Sequence, residues 1–248
     1  MSNPSEAGHW YKKDGSPCYT IEAKSGQIRP TTLRDARKLG LVPSVTTVIR
    51  CAAAPGLTNW MIDQAILAAL TCPRIDGEDE TAYLSRIKAD SKEQARKASE
   101  RGILIHAVVQ HGFEDHLPLA RWDGYEYYAS ARKTLVSWCG LREWISEKSF
   151  ATTRYGGKVD LHNDDYLIDV KSTDKDITTL ETWDEHKIQL AGYNGGLGGN
   201  ARKCGILYIN VNTAESRLVW IDEKELDKGW KMFSALLDFW YAKTGLEA

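Results

Sequence analysis

The sequence predicts a mixed α/β (α+β) protein, with a central mixed β-sheet flanked by helices and an N-terminal helical region. Three observations predict it. Up to residue 140, apolar residues recur at helical spacing between cap and glycine signals. From Leu141 the pattern shifts to short alternating and β-branched runs. Those later runs read in the order β-β-β-α-β-β-α, an alternation that packs helices onto a sheet.

Taken in order, residues 1–30 read as a small hairpin region. Tyr19–Ala23 alternates as a strand, and Lys24–Ser25–Gly26–Gln27 is turn chemistry. Thr32–Leu39 is a short helix stopped by Gly40. Pro43–Ile49 is a β-branched stretch whose Ser and Thr residues can equally open a helix toward Arg50. Asn59–Leu70 reads as a helix capped by Asn59, followed by a polar break at Pro73–Glu80. A long helix is expected from Ser91 to Phe113, with Ser91 and Gln94 as its capping box. Its first half is basic, and a solvated face is the ordinary reading of Arg86, Lys88, Lys92, Arg96, Lys97 and Arg101; a phosphate-tracking face is the alternative. Asp123–Cys139 is a further helix.

Glu143–Thr152, Lys158–Leu161 and Tyr166–Val170 read as strands, the last two joined by a tight turn at Asn163–Asp165. Thr182 and Glu185 form an expected capping box for a helix to about Leu197, with glycines around its end. Ile206–Val211 and Arg217–Ile221 are two more strands, and Asp222 with Glu225 opens a last amphipathic helix. The expected organisation is an extension over 1–42 and one domain over 43–248, helical over 43–140 and sheet-based over 141–248.

Composition bounds the function class. The chain has 248 residues, 42% hydrophobic and 27% charged, ordinary values for a globular protein. The N-terminus has neither a basic start nor an apolar signal core, and no apolar run approaches a membrane span, so a cytoplasmic location without membrane association is expected. Five scattered cysteines contain no CxxC pair, which disfavours zinc and iron–sulfur frameworks. The net charge of −2 advertises no nucleic-acid binding, yet a local basic groove suffices for it.

The chemistry concentrates in Gly157-Lys158-Val159-Asp160, a turn, and Leu167-Ile168-Asp169-Val170-Lys171. Asp169 and Lys171 are two apart on a strand and share a face, while Val170 points to the core. Asp160 ends the preceding strand and lies beside Asp169 if the two strands pair. Two converging carboxylates repel unless a cation sits between them, and hard oxygen ligands suit Mg²⁺ or Mn²⁺. An ordinary ion pair at a sheet edge is the competing reading of the same three residues.

These residues resemble the signature of PD-(D/E)XK nucleases, G-x-x-D followed by a hydrophobic strand ending in D-x-K-[ST]. Here it reads Gly157…Asp160 and Asp169-Val170-Lys171-Ser172-Thr173. The closer resemblance is to the RecB-like exonuclease branch. Gly102…His106 is similar to that branch's G-x-x-x-H helix, Gln189…Tyr193 to its Q-x-x-x-Y motif, and Pro43-Ser44-Val45-Thr46 to its P-S-V-T segment. The likeness spans Pro43 to Val211.

The resemblance implies a restriction-endonuclease-like core and a Mg²⁺- or Mn²⁺-dependent deoxyribonuclease without an iron–sulfur cluster. Asp160, Asp169 and Lys171 would be catalytic, with Glu147 assisting from the preceding strand. His106, Asp160, Asp169 and Val170 form the implied metal ligands. Gln189, Tyr193, Ser44, Thr46, Ser172 and Thr173 are the implied DNA contacts. An exonuclease that threads a single strand of linear DNA is expected, leaving 5′-phosphates, with the helical region walling the site. DNA is the implied partner, with a recombination or single-strand-binding protein beside it, in a bacterial or phage-infected cell. A site-specific endonuclease and a non-catalytic DNA-binding protein of the same fold are the alternatives.

Overall fold

The fold is built around one five-stranded sheet. A computed structural model describes residues 8–53, 55–115, 123–199 and 202–247. Its elements in chain order are β1 (Trp10–Tyr11), β2 (Thr20–Glu22), β3 (Ile28–Pro30), α1 (Leu33–Leu39), β4 (Val42–Pro43), α2 (Val45–Ile49), α3 (Pro55–Thr71), α4 (Glu80–Asp115) and α5 (Tyr125–Cys139). Then follow β5 (Ile145–Ala151), β6 (Gly156–His162), β7 (Tyr166–Thr173), α6 (Asp184–Gly196), β8 (Lys203–Asn210), β9 (Ser216–Ile221) and α7 (Glu223–Thr244). The mixed α+β class and the β-β-β-α-β-β-α order agree with the sequence reading.

The central sheet runs β5-β6-β7-β8-β9. β7 and β8 are parallel, joined across α6, and the other pairs are antiparallel. Side chains alternate along β8: Cys204, Ile206 and Tyr208 enter one apolar cluster, Leu207 and Ile209 the other. The first cluster fills the space beneath α2, α6 and α7, with Val45, Ile188, Leu190, Phe233 and Leu237. The second packs Ile105, Val109 and Phe113 of α4 and Leu135 of α5 onto Leu161, Ile168 and Val170. A strand buried on both faces reads as a continuous apolar run, as Ile206–Ile209 does.

Local chemistry sets the boundaries, and three expected helix starts are corrected. Thr32 caps α1 in a reciprocal box with Asp35, and Gly40 closes it at φ 63°. α4 begins at Glu80, with Asp79 accepting the Ala82 N–H at 2.8 Å, so Ser91 lies inside the helix and not at its cap. α3 begins at Pro55, which puts Asn59 inside it as well. α6 begins after Trp183, which makes no side-chain cap bond, in place of the expected Thr182. A polar pair three residues apart is also common inside helices, so the spacing alone did not fix the start. Pro43–Ile49 resolves into β4 and α2, with Ser44 as the cap between them.

The stretch 1–42 is not a separate extension. β1 pairs with β4 across the expected boundary, and Trp10 is fully buried in the first cluster, edge-on to Trp240. The helical region divides the work differently from the expectation of a single wall over the sheet. The second half of α4 and α5 pack on the sheet, whereas α3 packs chiefly on α4 and leaves Leu57, Met61, Ile62, Ile66, Leu67 and Leu70 exposed. Among the described residues no helix is long and apolar enough to cross a membrane.

Removal of a fully buried aromatic costs about 3–5 kcal/mol. Trp10→Ala is therefore expected to lower unfolding stability by about that amount in a urea titration. An unchanged midpoint would mean that residues 1–42 are peripheral to the core.

Candidate active site

The site begins where one ladder stops. β6 and β7 pair at His162↔Leu167 and Leu161↔Ile168, and the next step outward would set Asp160 against Asp169. The pairing ends there. The Asp160 carboxylate takes over as acceptor, receiving the Val170 N–H on Oδ2 at 2.7 Å. β7 continues to Thr173 on the support of β8 alone. The fork leaves carboxylates on both of the separating strands, at Asp160 and at Asp169.

α6 and α4 close on this fork from different layers. From α6, Gln189 donates through Nε2 to Asp169 Oδ1 at 2.9 Å and to the Tyr193 hydroxyl at 2.9 Å. Its Oε1 accepts from Lys171 Nζ at 3.1 Å, and Lys171 Nζ lies 2.7 Å from Asp169 Oδ2. The four-residue spacing of Gln189 and Tyr193 puts both on one helix face. From α4, His106 Nδ1 stands 3.6 Å from Asp160 Oδ1, too far for a hydrogen bond but close for an electrostatic pair. Gly102 eases this approach. A Cβ there would stand 3.1 Å from Ser172 Oγ, so the glycine lets α4 lie against the end of β7 one turn before His106.

Burial and charge pull these groups apart. Burial pushes the Asp169 carboxyl upward, against the pull of Lys171, and with Asp160 adding to the rise its pKa is raised. Burial acts the same way on Asp160, but His106, Lys171 and the Val170 N–H outweigh it, and its pKa is lowered. Burial lowers Lys171, yet Asp169 and Asp160 outweigh it and hold the ammonium charged. His106 is raised because Asp160 outweighs the burial that opposes it.

The donor set suits a hard divalent cation in kind: two carboxylates, an imidazole and the main-chain carbonyl of Val170. Asp169 Oδ2 is buried with no well-directed hydrogen bond, only the ion pair to Lys171, and so retains free acceptor capacity. Among the described residues no group of three or more His, Cys, Asp or Glu side chains is gathered closely enough to hold a metal ion as it stands.

The remaining expected residues are held by other partners or lie at the margin. Glu147 sits at φ 53° across from Asp160 in the β5–β6 register, and its carboxylate pairs with Lys158. Ser44 is buried and accepts the Thr47 N–H at 3.0 Å, with Thr46 Oγ1 2.9 Å from its hydroxyl, so these hydroxyls serve the cap of α2. Tyr193 is buried beside Phe150 and supports Gln189, a placement that denies its ring to a stacking base. Ser172 and Thr173 lie at the rim.

Two hollows share Ser172 and Thr173 as a common wall. One, about 400 Å³, is predominantly polar and carries Trp60 and Gln64 of α3 and Lys97 and Arg101 of α4. The other, about 180 Å³, reaches Lys171, Trp183, His186 and Tyr208. Sequence reasoning gave none of Trp60, Gln64, Trp183, His186 and Tyr208 a role; the basic pair Lys97 and Arg101, four apart, was the one visible signal. A further hollow, about 750 Å³ between α5 and β9, is lined by none of the fork residues.

No protein-family model matches the chain, and no curated protein is significantly similar to it.

Burial and the Lys171 charge push His186 down to about 4 from 6.5. The unfolded chain therefore binds a proton that the fold resists. His186 costs nothing above about pH 6.5, and stability falls as pH drops from there toward 4. Relative to His186→Gln, the wild type is expected to lose on the order of 2 kcal/mol between pH 7 and pH 4.5 in paired urea titrations. A constant difference between the two proteins would show that His186 titrates normally.

Proposed function

We propose that the chain is a metal-dependent deoxyribonuclease of the PD-(D/E)XK superfamily, in its RecB-like exonuclease branch, acting on linear DNA. The observation that carries the reading is the β6–β7 fork: two facing carboxylates, an ammonium 2.7 Å from one of them and an imidazole 3.6 Å from the other. An ordinary edge ion pair would need neither the broken ladder nor the imidazole brought in from a separate helix.

Asp160, Asp169, His106 and the Val170 carbonyl would hold Mg²⁺ or Mn²⁺. When bound, such an ion polarises a phosphoryl oxygen and makes bound water more acidic. The protein's own groups do the rest. Lys171 is held charged by the carboxylates, so it acts as a donor that orients water and offsets charge growing on the phosphoryl oxygens, and not as a base. Gln189 fixes Lys171 and Asp169 together, and Tyr193 fixes Gln189. Water adds at phosphorus, the bond to the 3′-oxygen breaks, and a 5′-phosphate remains.

The polar hollow with Lys97 and Arg101, offset by the single carboxylate of Asp174, reaches Ser172 next to the fork, which favours a phosphate-tracking role for that part of α4 over a merely solvated one. This local basicity supports a nucleic-acid substrate despite the net charge of −2.

Incubation of end-labelled linear DNA with Mg²⁺ is expected to give cleavage that EDTA stops. Asp160→Ala and Lys171→Ala are each expected to lose at least about 10³-fold in rate, a loss of roughly 4 kcal/mol in transition-state stabilisation, with folding nearly intact by circular dichroism. Covalently closed circles cut as fast as linear DNA would overturn the exonuclease reading, discrete plasmid fragments would favour an endonuclease, and full activity of either variant would remove these residues from the mechanism.

Lys97→Ala and Arg101→Ala are each expected to weaken binding of a single-stranded oligonucleotide and to reduce the slope of log affinity against log salt by about 0.7 per lost phosphate contact. Unchanged slopes would return both residues to a solvated face.

A further inference from the structure

The smaller hollow has a different chemistry from the polar one. It is bounded by Lys171 and Ser172 at the end of β7, Lys175 just beyond it, Trp183 and His186 at the start of α6, and Tyr208 of β8. Trp183 occupies the cap position of α6, where Ser, Thr, Asp or Asn would stabilise the helix, and makes no cap bond. The residue is 45% exposed. A large aromatic placed where the helix gains nothing from it, and left open to solvent, presents a surface and does not fill a core.

That surface is orientated. The Trp183 and His186 rings are parallel within 2°, with centroids 6.0 Å apart. His186 Nδ1 lies 3.0 Å from the Tyr208 hydroxyl, which fixes the imidazole plane. The downward push on His186 keeps that ring neutral near pH 7, so the ring pair itself is uncharged, while Lys171, Lys175 and Glu181 line the hollow around it. Lys175 Nζ lies over the Trp183 ring, 5.5 Å from its centre, a cation–π contact that an incoming base would share or displace. On the far side, Gly56 at the start of α3 has no Cβ, and one placed there would meet the Trp183 ring at 3.3 Å, so α3 braces the ring edge.

Because Lys171 belongs both to the fork and to this hollow, whatever fills the hollow adjoins the reacting phosphate. A volume of about 180 Å³ admits one flat heterocycle and not a base pair. We propose that the hollow takes a single unpaired nucleobase of the cleaved strand, stacked on Trp183, with its polar edge toward the Ser172 and Tyr208 hydroxyls, and thereby selects single-stranded over duplex ends. The inference rests on the nuclease reading and adds the substrate form to it. Sequence-tolerant stacking of this kind is how proteins hold single strands without reading bases.

The test uses the full chain with Trp183→Ala and Trp183→Phe. With EDTA present, a single-stranded oligonucleotide carrying terminal 2-aminopurine is titrated and its fluorescence followed. The wild type is expected to quench the probe, Trp183→Ala to lose the quenching and to bind about 5- to 100-fold more weakly, and Trp183→Phe to recover most of both. With Mg²⁺, Trp183→Ala is expected to raise KM with kcat within about twofold, and an oligonucleotide with an abasic end is expected to show no further loss in Trp183→Ala. Equal quenching and equal KM in wild type and Trp183→Ala overturn the base pocket while leaving the nuclease reading standing. Absence of cleavage by the wild type overturns the nuclease reading, and the EDTA titration then decides the pocket alone: Trp183-dependent quenching sustains it, and no quenching ends it.

Discussion

The site depends on one interruption in backbone pairing. An antiparallel ladder is stable because each strand supplies the other's acceptors, and ending it early leaves N–H groups to be satisfied. Here the Asp160 side chain accepts the Val170 N–H that β6 would otherwise have received through its backbone. A carboxylate therefore performs a structural task and is aimed by it. β7 tolerates the loss because its other edge is fully paired with β8 through Thr173. The fork is open on one side and rigid on the other, which is the geometry that preorganised chemistry needs.

The two helical layers then act on that fork from different directions. α6 lays Gln189 across Asp169 and Lys171, so the acid and the ammonium cannot move independently. α4 brings His106 to Asp160, and Gly102 eases the close approach of the helix to Ser172 at the end of β7. The apolar half of α4, with Ile105 and Val109 wholly buried, anchors this contact in the core. The basic first half of the same helix projects past the sheet and supplies Lys97 and Arg101 to the adjoining hollow. One 36-residue helix, about 54 Å long, thus ties the core, the fork and the polar hollow together.

Much of this was legible in the sequence because it depends on local spacing. The two-residue interval from Asp169 to Lys171, the turn at Asn163 and the four-residue interval from Gln189 to Tyr193 each set a geometry that the structure keeps. What was not legible depended on what packs against what. Nothing in Ser44-Val45-Thr46 reveals that the hydroxyls are used up in capping a buried five-residue helix. Nothing in Trp10 reveals that it belongs to the core of residues more than two hundred positions away. Trp183 and His186 read as an ordinary helix start, because a hollow formed with β8 and α3 has no signal in either segment alone. Helix starts failed for the same reason: Ser91 and Asn59 are good caps by type, but Asp79 and Pro55 lie upstream of them.

Several departures from good local structure lie on or beside the strands of the fork. Glu147 holds a left-handed backbone at φ 53° directly across from Asp160, a conformation that costs a non-glycine residue about 1–3 kcal/mol. α6 starts on a tryptophan that caps nothing. The β6–β7 ladder is cut short. Asp169 is a carboxylate 1% exposed, and a buried ion pair of this kind is often no better for stability than well-packed apolar residues of the same volume. Each of these has a cheaper alternative that would leave the fold intact: a strand residue in extended conformation, a serine at the cap, a continued ladder, a leucine in place of the acid. They meet around one fork in the sheet, while its two large apolar clusters on either face follow the packing rules. Stability forgone around the fork, in a protein largely consistent from pattern to packing, supports the proposal that the fork is kept for chemistry.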